Sequence, residues 1–216
     1  MQIDLAHRST DSWQMAADLA REVYAQAYGA DVAPRPDSFI VARSAGGPTE
    51  QPAAPLACAG LTFGRDQALF SERYLGTGIE DAALAHLGVS VDRRRVVEVG
   101  ALATRRTAVG RELIRATPIV AWCLGMEYIL CTVTRRLVTT LDRTGIRFEP
   151  FAPADPRRLP PAEAAHWGSY YDHEPQVGVI PLNALDRLFS AATGRYSVTD
   201  LQLSISAMEV AGHAGH

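Results

Sequence analysis

The sequence contains no lysine, and all 21 of its basic residues are arginine. This absence excludes chemistry that depends on a lysine amine, such as a Schiff base, a pyridoxal phosphate anchor or a phosphate-loop lysine. Cysteine is scarce as well: Cys58, Cys123 and Cys131 lie far apart and form no Cys-x-x-Cys pair. We therefore predict neither a disulfide framework nor a bound metal, and we expect a protein of a reducing compartment.

The sequence also lacks a long hydrophobic run and an excess of positive charge. Its most apolar stretch, residues 118–134, contains Gly125 and Glu127 and is too short and too interrupted to form an integral membrane segment. The first ten residues show no basic segment followed by an apolar one, which predicts no signal peptide and a cytoplasmic location. The formal net charge of -3 argues against a nucleic-acid partner.

Hydrophobic residues make up 47% of the 216 residues, which is enough to bury the core of one domain. The predicted helices are 11–28, with Asp11 as N-cap, and 79–87, 109–125, 135–143 and 185–192. The predicted strands are 38–43, 56–63, 96–103, 128–134, 146–151 and 177–182, and residues 71–74 also have a strand-like pattern. This order predicts an α/β (α+β) fold with helices around one central, mixed, twisted sheet. We expect one domain over residues 1–195 and a C-terminal extension over 196–216 with a disordered end.

Glu98 lies inside the predicted strand 96–103, with valines on both sides. A buried charge is costly unless it is used or paired, so two interpretations are open. Glu98 pairs with one of the many arginines, or it is a general base whose pKa is raised by burial.

The segment that follows, residues 105–111, places small residues between arginines at a predicted strand-to-helix turn. The N–H groups of a helix N-terminus bind phosphate, and small residues allow a phosphate to approach closely. The segment therefore indicates a phosphate site or an ordinary helix start. Its candidate residues are Arg105, Arg106, Ala108, Gly110 and Arg111.

Residues 166–174 combine aromatic and charged side chains, among them Trp167, Tyr170, Tyr171 and His173. They form a structural corner, or one of the two tyrosines protonates a leaving thiolate. The histidine and its neighbouring acids are consecutive, so their side chains diverge and a shared metal site is disfavoured.

Two clusters of charge also allow two interpretations each. Glu72 and Arg73 form an ion pair that organises a loop, or they recognise the polar head of an acceptor. Residues 93–95, three consecutive arginines, form a solvated turn or a docking patch for an acidic carrier protein.

Three strings together resemble a known family: FSERYLGTGIEDAALAHL (70–87), VVEVGALA (96–103) and HWGSYYDHEPQVGVIPL (166–182). In this order they are similar to the thermostable hemolysin family over about residues 14–182. That family usually has Asn at the position of Ala101. The turn at 105–111 resembles the Gln/Arg-x-x-Gly-x-Gly/Ala signature of the GNAT acyltransferases, with Ala108 in place of the first Gly.

The resemblance implies a GNAT-like acyltransferase fold related to the acyl-homoserine-lactone synthases. It implies acyl-CoA or the acyl-phosphopantetheine arm of an acyl-carrier protein as co-substrate, with no permanently bound cofactor. Between these donors the carrier protein is favoured, because the Cβ of Ala108 narrows the approach of a bulky pyrophosphate. The partners are then acyl-carrier protein and a small amine acceptor.

The resemblance also distributes roles among the candidate residues. Glu98 takes a proton from the amine, and Tyr170 or Tyr171 protonates the thiolate. The oxyanion of the thioester is held by backbone N–H groups of residues 101–103, which are Ala101, Leu102 and Ala103. The candidate acceptor contacts are Glu72, Arg73, Trp167 and His173.

Two other functions are weighed against this one. The family name suggests a membrane-active cytolysin, which predicts an amphipathic or exported segment. A catalytically inactive GNAT-like binding module is the other alternative, and a Glu98 neutralised by a buried ion pair favours it. The acyltransferase hypothesis further predicts that strands 96–103 and 128–134 are adjacent and parallel and diverge at their C-terminal ends.

Overall fold

The protein folds around a seven-stranded sheet with the order β1-β2-β3-β4-β5-β7-β6. The computed structural model describes residues 1–44, 53–65 and 67–184. The strands are β1 (Gln2–His7), β2 (Ser38–Arg43), β3 (Ala57–Phe63), β4 (Val96–Thr104), β5 (Tyr128–Val133), β6 (Glu149–Pro153) and β7 (Gln176–Pro181). The helices are α1 (Asp11–Tyr28), α2 (Glu72–Leu75), α3 (Ile79–Leu87), α4 (Thr107–Cys123), α5 (Arg135–Arg143) and α6 (Pro161–Ala165).

The sheet is mixed, because β4 and β5 run parallel while the other described neighbours pair antiparallel. Helices lie on both of its faces. On β2, Val41 belongs to the buried cluster formed with α1, whereas the next residue back, Ile40, belongs to the cluster that includes Leu113 of α4. Successive side chains of a strand point to opposite faces, so α1 and α4 cover opposite sides of the sheet. The predicted α/β (α+β) class with a central mixed sheet is confirmed.

Strands β4 and β5 form a fork. Val96, Val97 and Glu98 pair with residues 128–130 of β5, and the described ladder between the two strands ends there. Helix α4 connects the two arms. The prediction that these strands are adjacent and parallel and then diverge is confirmed, and Glu98 is the last residue of β4 that pairs with β5.

Several predicted boundaries are corrected by local hydrogen bonds. Helix α1 is capped by Thr10 instead of Asp11, because the Thr10 side chain accepts a hydrogen bond from the Trp13 N–H at 3.2 Å. The segment with a strand-like pattern at 71–74 instead forms the short helix α2, which ends where the Gly76 N–H donates to the Glu72 carbonyl.

Other boundaries differ by a few residues. Helix α4 begins at Thr107, before the predicted start, and β6 begins at Glu149, after it. Strand β1 and helix α6 were not predicted from the sequence. The predicted helix 185–192 and the extension 196–216 lie outside the described residues. Within the described part of the chain, none of the helices combines the length and the apolar character needed to cross a membrane.

Candidate active site

Glu98 lies at the point where the fork opens and is only 8% exposed. Its carboxylate accepts hydrogen bonds from the backbone N–H groups of Phe70 (2.7 Å) and Ser71 (2.8 Å) and from the Ser71 hydroxyl (2.5 Å). Burial raises the pKa of Glu98, while these hydrogen bonds act in the opposite direction because they stabilise the ionised form. The site thus holds a carboxyl group that binds a proton more tightly than an exposed glutamate.

The alternative that Glu98 pairs with an arginine is not what the structure shows, since no described arginine forms a salt bridge with it. The polar contacts of the Glu98 carboxylate come from residues 70 and 71. The segment that precedes α2 is therefore attached to β4 through this one side chain.

Glu72 and Arg73 do not pair with each other. Glu72 is 7% exposed, accepts hydrogen bonds from the N–H groups of Leu69 and Ile79 at 2.7 Å each, and forms a salt bridge with Arg93. Arg73 donates to Glu163 at 2.9 Å. Both predicted acceptor contacts thus have protein partners that organise residues 69–79 and α6.

The three arginines of 93–95 form a short 3-10 turn in which each has an acidic partner. Arg93 contacts Glu72 and Glu80, and the partners of Arg94 and Arg95 are Asp92 and Glu127. The pairing favours the interpretation as a solvated structural turn over a docking patch.

A β-bulge interrupts β4 just beyond Glu98. The register pairs Gly100 with Gly60 and Ala103 with Cys58, so two residues of β4, Ala101 and Leu102, lie opposite one residue of β3. Ala101 has φ of 48°, a left-handed conformation that Asn adopts more readily than Ala. Such a bulge changes the direction of backbone groups on the side of β4 that no longer pairs with β5.

The first turn of α4 presents backbone N–H groups that helix geometry leaves without intrahelical partners. The N-cap residue, Arg106, provides no side-chain cap. Gly110 is needed for packing, because a Cβ there would lie 2.7 Å from Cγ2 of Thr104 on β4. Its small size therefore serves the contact between helix and strand, and the ligand approach expected from the sequence stays a prediction. Ala108 is exposed at the helix start.

The arginines around this turn differ in their pairing. Arg105 forms a salt bridge with Glu22 of α1 at 2.6 Å. Arg106 and Arg111 are exposed, and no salt bridge of either is found among the described residues. The two unpaired guanidinium groups and the uncapped helix start form a positively charged surface, which we call the α4 cationic surface.

The tyrosines of the 166–174 segment are hydrogen-bonded within a large aromatic cluster. The Tyr170 hydroxyl donates to the carbonyl of Thr132 on β5 at 3.2 Å, and the Tyr171 hydroxyl lies 2.7 Å from that of Tyr74. Burial raises the pKa of both Tyr170 and Tyr171, so both stay neutral at ordinary pH. Tyr170 is the one whose hydroxyl reaches an arm of the fork.

The other two candidates of this segment occupy different positions. Trp167 packs in the aromatic cluster, 5.1 Å from the Tyr170 ring between centroids, whereas His173 is exposed and lies 5.2 Å from the Tyr28 ring. A cleft of about 870 Å³ adjoins the Tyr74–Tyr171 pair, and none of the four predicted acceptor contacts lines it. No group of three or more potential metal ligands is found in the described residues.

Two polar residues of the site were missed by sequence reasoning. Ser71 is 1% exposed and its hydroxyl lies 2.5 Å from Glu98 and 2.8 Å from the hydroxyl of Thr132. Thr132 occupies the part of β5 that lies beyond its ladder with β4 and pairs only with β7 among the described strands. A single serine or threonine produces no periodic pattern in the sequence. The only sequence signal for Thr132 is that its strand, β5, was predicted to lie beside the strand of Glu98.

Comparison with known proteins identifies a family and a fold. The sequence profile described as thermostable hemolysin matches residues 6–185. Among solved structures, the acyl-homoserine lactone synthase LasI is 13% identical, with 88% of this chain and 94% of that chain covered and a TM-score of 0.58. BjaI, a CoA-dependent acyl-homoserine lactone synthase solved with SAM and isopentyl-CoA, is 12% identical, with 88% and 89% covered and a TM-score of 0.58.

A third similar structure is FeeM, an N-acyl amino acid synthase from uncultured soil microbes, at 12% identity, 87% and 99% coverage and a TM-score of 0.54. No curated protein matches the sequence. At these identities the structural likeness establishes the fold, which is that of the acyl-homoserine lactone synthases and is GNAT-like, as the sequence predicted. The family follows from the profile match, which covers most of the chain: the protein belongs to the thermostable hemolysin family.

Proposed function

We propose that this protein is an N-acyltransferase that moves an acyl group from a pantetheine thioester to a small amine. The observation that carries the proposal is a buried carboxylate at the opening of a strand fork, next to a bulge in the same strand and without a cationic partner among the residues that the structure describes. A buried acid whose pKa is raised by its environment is suited to general base catalysis. Synthases that form N-acyl products share this fold.

In the proposed reaction, Glu98 accepts a proton from the ammonium group of the acceptor. The free amine attacks the thioester carbonyl, and backbone N–H groups at the bulge, residues 101–103, stabilise the oxyanion. The tetrahedral intermediate then expels the thiolate. Overall two protons leave the nitrogen, of which one ends on the thiol and the other passes to solvent.

Tyr170 is the preferred donor of the thiol proton. Its hydroxyl is hydrogen-bonded to Thr132 in the fork, whereas the Tyr171 hydroxyl is directed to Tyr74. Its raised pKa keeps the phenol protonated until a thiolate forms beside it. We place the acceptor on the side of the cleft that adjoins Tyr74 and Tyr171.

The donor is proposed to bind through the α4 cationic surface. Free N–H groups at a helix N-terminus and nearby guanidinium groups both attract phosphate, and Arg106 and Arg111 are exposed there. Acyl-CoA and acyl-carrier protein both carry a phosphopantetheine arm, and the exposed arginines favour the acidic carrier protein. The donor is a co-substrate, and the reaction needs no permanently bound cofactor. A cytoplasmic location stays a prediction.

The test is a screen for amide formation. The purified protein is incubated with acyl groups of several lengths on CoA and on acyl-carrier protein, together with a panel of primary amines, and products are detected by mass. We expect one donor–amine pair to give turnover that Glu98→Gln loses. Absence of any amide product, combined with dye release from phosphatidylcholine vesicles, would contradict the proposal and support the cytolysin alternative.

A further inference from the structure

Two hydroxyl groups connect Glu98 to the opposite arm of the fork. Ser71 Oγ lies 2.5 Å from Glu98 Oε1 and 2.8 Å from Thr132 Oγ1. Glu98 pairs with Leu130 across the ladder, and Thr132 points to the same face as Leu130 because side chains alternate along a strand. The chain of three groups therefore joins β4 to β5 at the point where the ladder between these two strands ends.

The direction of this chain follows from the number of protons available. An ionised carboxylate can only accept hydrogen bonds, so the single hydroxyl proton of Ser71 points to Glu98. The Ser71 oxygen then accepts the hydroxyl proton of Thr132. Thr132 Oγ1 is left with lone pairs alone, which suits an incoming N–H donor such as an ammonium group.

The two ends of the chain differ in exposure, and its middle group is the most buried. Ser71 is 1% exposed and Glu98 is 8% exposed, whereas Thr132 is partly exposed. The other hydrogen bonds to the Glu98 carboxylate come from the backbone N–H groups of residues 70 and 71. Thr132 is therefore the accessible end of the chain, and Glu98 is its buried end.

We propose that Thr132 and Ser71 relay the proton of the acceptor ammonium group to Glu98. The ammonium gives a proton to Thr132 Oγ1, the Thr132 proton moves to Ser71 Oγ, and the Ser71 proton moves to Glu98. One N–H and two O–H bonds break and three O–H bonds form, so both hydroxyls are restored and Glu98 becomes neutral. This relay rests on the proposed function, in which Glu98 is the base.

Within the described residues, no salt bridge brings a cation to Glu98. The titratable groups that interact with it include Glu72 and Tyr74 on α2 and Cys131 on β5, and none of these three is a cation. The hydrogen bonds from residues 70 and 71 therefore provide the main stabilisation of its ionised form. Removal of the Ser71 hydroxyl should raise the pKa of Glu98 further.

The first test compares hydroxyl deletions in turnover with the best donor–amine pair from the screen. Thr132→Val should lower kcat roughly 10²-fold with little change in KM, because a positioned proton acceptor is lost. Thr132→Ser keeps a hydroxyl and should retain most of the activity. Thr117→Val is the matched control, since it deletes a buried hydroxyl that donates to Leu113 within α4, and it should behave as wild type.

Two further measurements separate a relay from a structural role. The turnover rate is measured in mixtures of light and heavy water. For the wild type it should vary nonlinearly with the deuterium fraction, because several protons move together, and for Thr132→Val it should vary linearly. In the substrate-free protein, a ¹³C NMR titration of the Glu98 carboxyl should show a higher midpoint in Ser71→Ala.

Each contrary result has a distinct meaning. Wild-type kcat in Thr132→Val, or equal losses in Thr132→Val and Thr132→Ser, would overturn the relay. If Glu98→Gln is impaired while Thr132→Val is not, the base assignment stands and only the relay fails. If Glu98→Gln has full activity, the proposed function of Glu98 fails and the relay fails with it.

Discussion

Glu72 and Glu98 are two glutamates with nearly equal burial and opposite electrostatic surroundings. They are 7% and 8% exposed, and both accept hydrogen bonds from backbone N–H groups of residues that precede or follow α2. Glu72 faces the guanidinium of Arg93, whereas Glu98 has no cationic contact in the described structure, and its burial raises its pKa. Burial alone therefore does not distinguish the two carboxylates, whereas the presence of a compensating charge beside Glu72 does.

The largest expected effect is on turnover. Glu98→Gln should lower kcat by roughly 10²–10⁴-fold, because an amide cannot accept the proton, and should leave the fold intact. Glu72→Gln should change kcat only slightly, because Glu72 is placed outside the proposed reaction. Product formation with one donor–amine pair measures both variants. Equal losses of activity in two folded variants would break the comparison.

The second effect is on the free energy of unfolding, and here Glu72 is the residue whose substitution should matter. Glu72→Gln should lower the free energy of unfolding by about 2 kcal/mol, because charge-assisted hydrogen bonds to a buried group are weakened. Glu80→Gln is the matched control: it removes the other partner of Arg93, but the Glu80 side chain is 42% exposed, so the loss should stay below about 1 kcal/mol. Urea denaturation measures both. A larger loss for Glu80→Gln would show that Glu72 is not the residue that holds Arg93.

The fold could be predicted from the sequence because its signals are local. The helices predicted at the positions of α1, α3 and α5 are confirmed with the same boundaries, and the valines around Glu98 predicted a buried strand. Strand β1 was missed, since six residues with only Ala6 buried carry little apolar pattern.

The site could be predicted only in part, because long-range contacts decide its chemistry. Glu72 and Arg73 are adjacent in sequence, yet their partners, Arg93 and Glu163, are set by how α2, the 93–95 turn and α6 pack. The same holds for Ser71 and Thr132, whose hydroxyls meet across 61 residues of chain. No local pattern indicates such pairs, and the catalytic roles of the candidate residues stay predictions until turnover is measured.

The third effect is on pH dependence. As a base, Glu98 must be ionised, so kcat/KM should fall as the pH drops through its raised pKa, above the value of about 4.3 of an ordinary glutamate. Below that ordinary value, Glu98 is protonated in both folded and unfolded chains and imposes no penalty. Above the raised pKa the penalty of burying its charge is complete, so the wild type should lose stability relative to Glu98→Gln as the pH rises through this interval. Parallel profiles of melting temperature against pH would contradict the raised pKa.

The smallest expected effect extends the comparison from paired and unpaired carboxylates to paired and unpaired arginines. Arg93 is bound by Glu72 and Glu80, whereas Arg106 and Arg111 are exposed on the α4 cationic surface. Arg106→Glu or Arg111→Glu should raise KM for acyl-carrier protein several-fold, because a favourable contact with its acidic surface becomes repulsive. Arg94→Glu is the matched control, as Arg94 is exposed but paired with Asp92 in a turn.

The same experiment distinguishes the two donors, because they differ in how much charge lies beyond the phosphopantetheine arm. A carrier protein presents acidic side chains over a wide surface, and exposed charge pairs are screened beyond about 8 Å at physiological ionic strength. The effect of Arg106→Glu on the carrier-protein reaction should therefore shrink as salt is added, while Arg94→Glu stays at the wild-type value throughout. Acyl-CoA meets the same helix start with its own phosphates but lacks that acidic surface. Arg106→Glu should therefore raise the KM for acyl-CoA less than the KM for carrier protein, and the change should depend less on salt. Equal efficiency of one acyl group on CoA and on carrier protein, with no response to either charge reversal, would exclude the carrier protein as the preferred donor and leave the N-terminus of α4 as the phosphate contact to be tested.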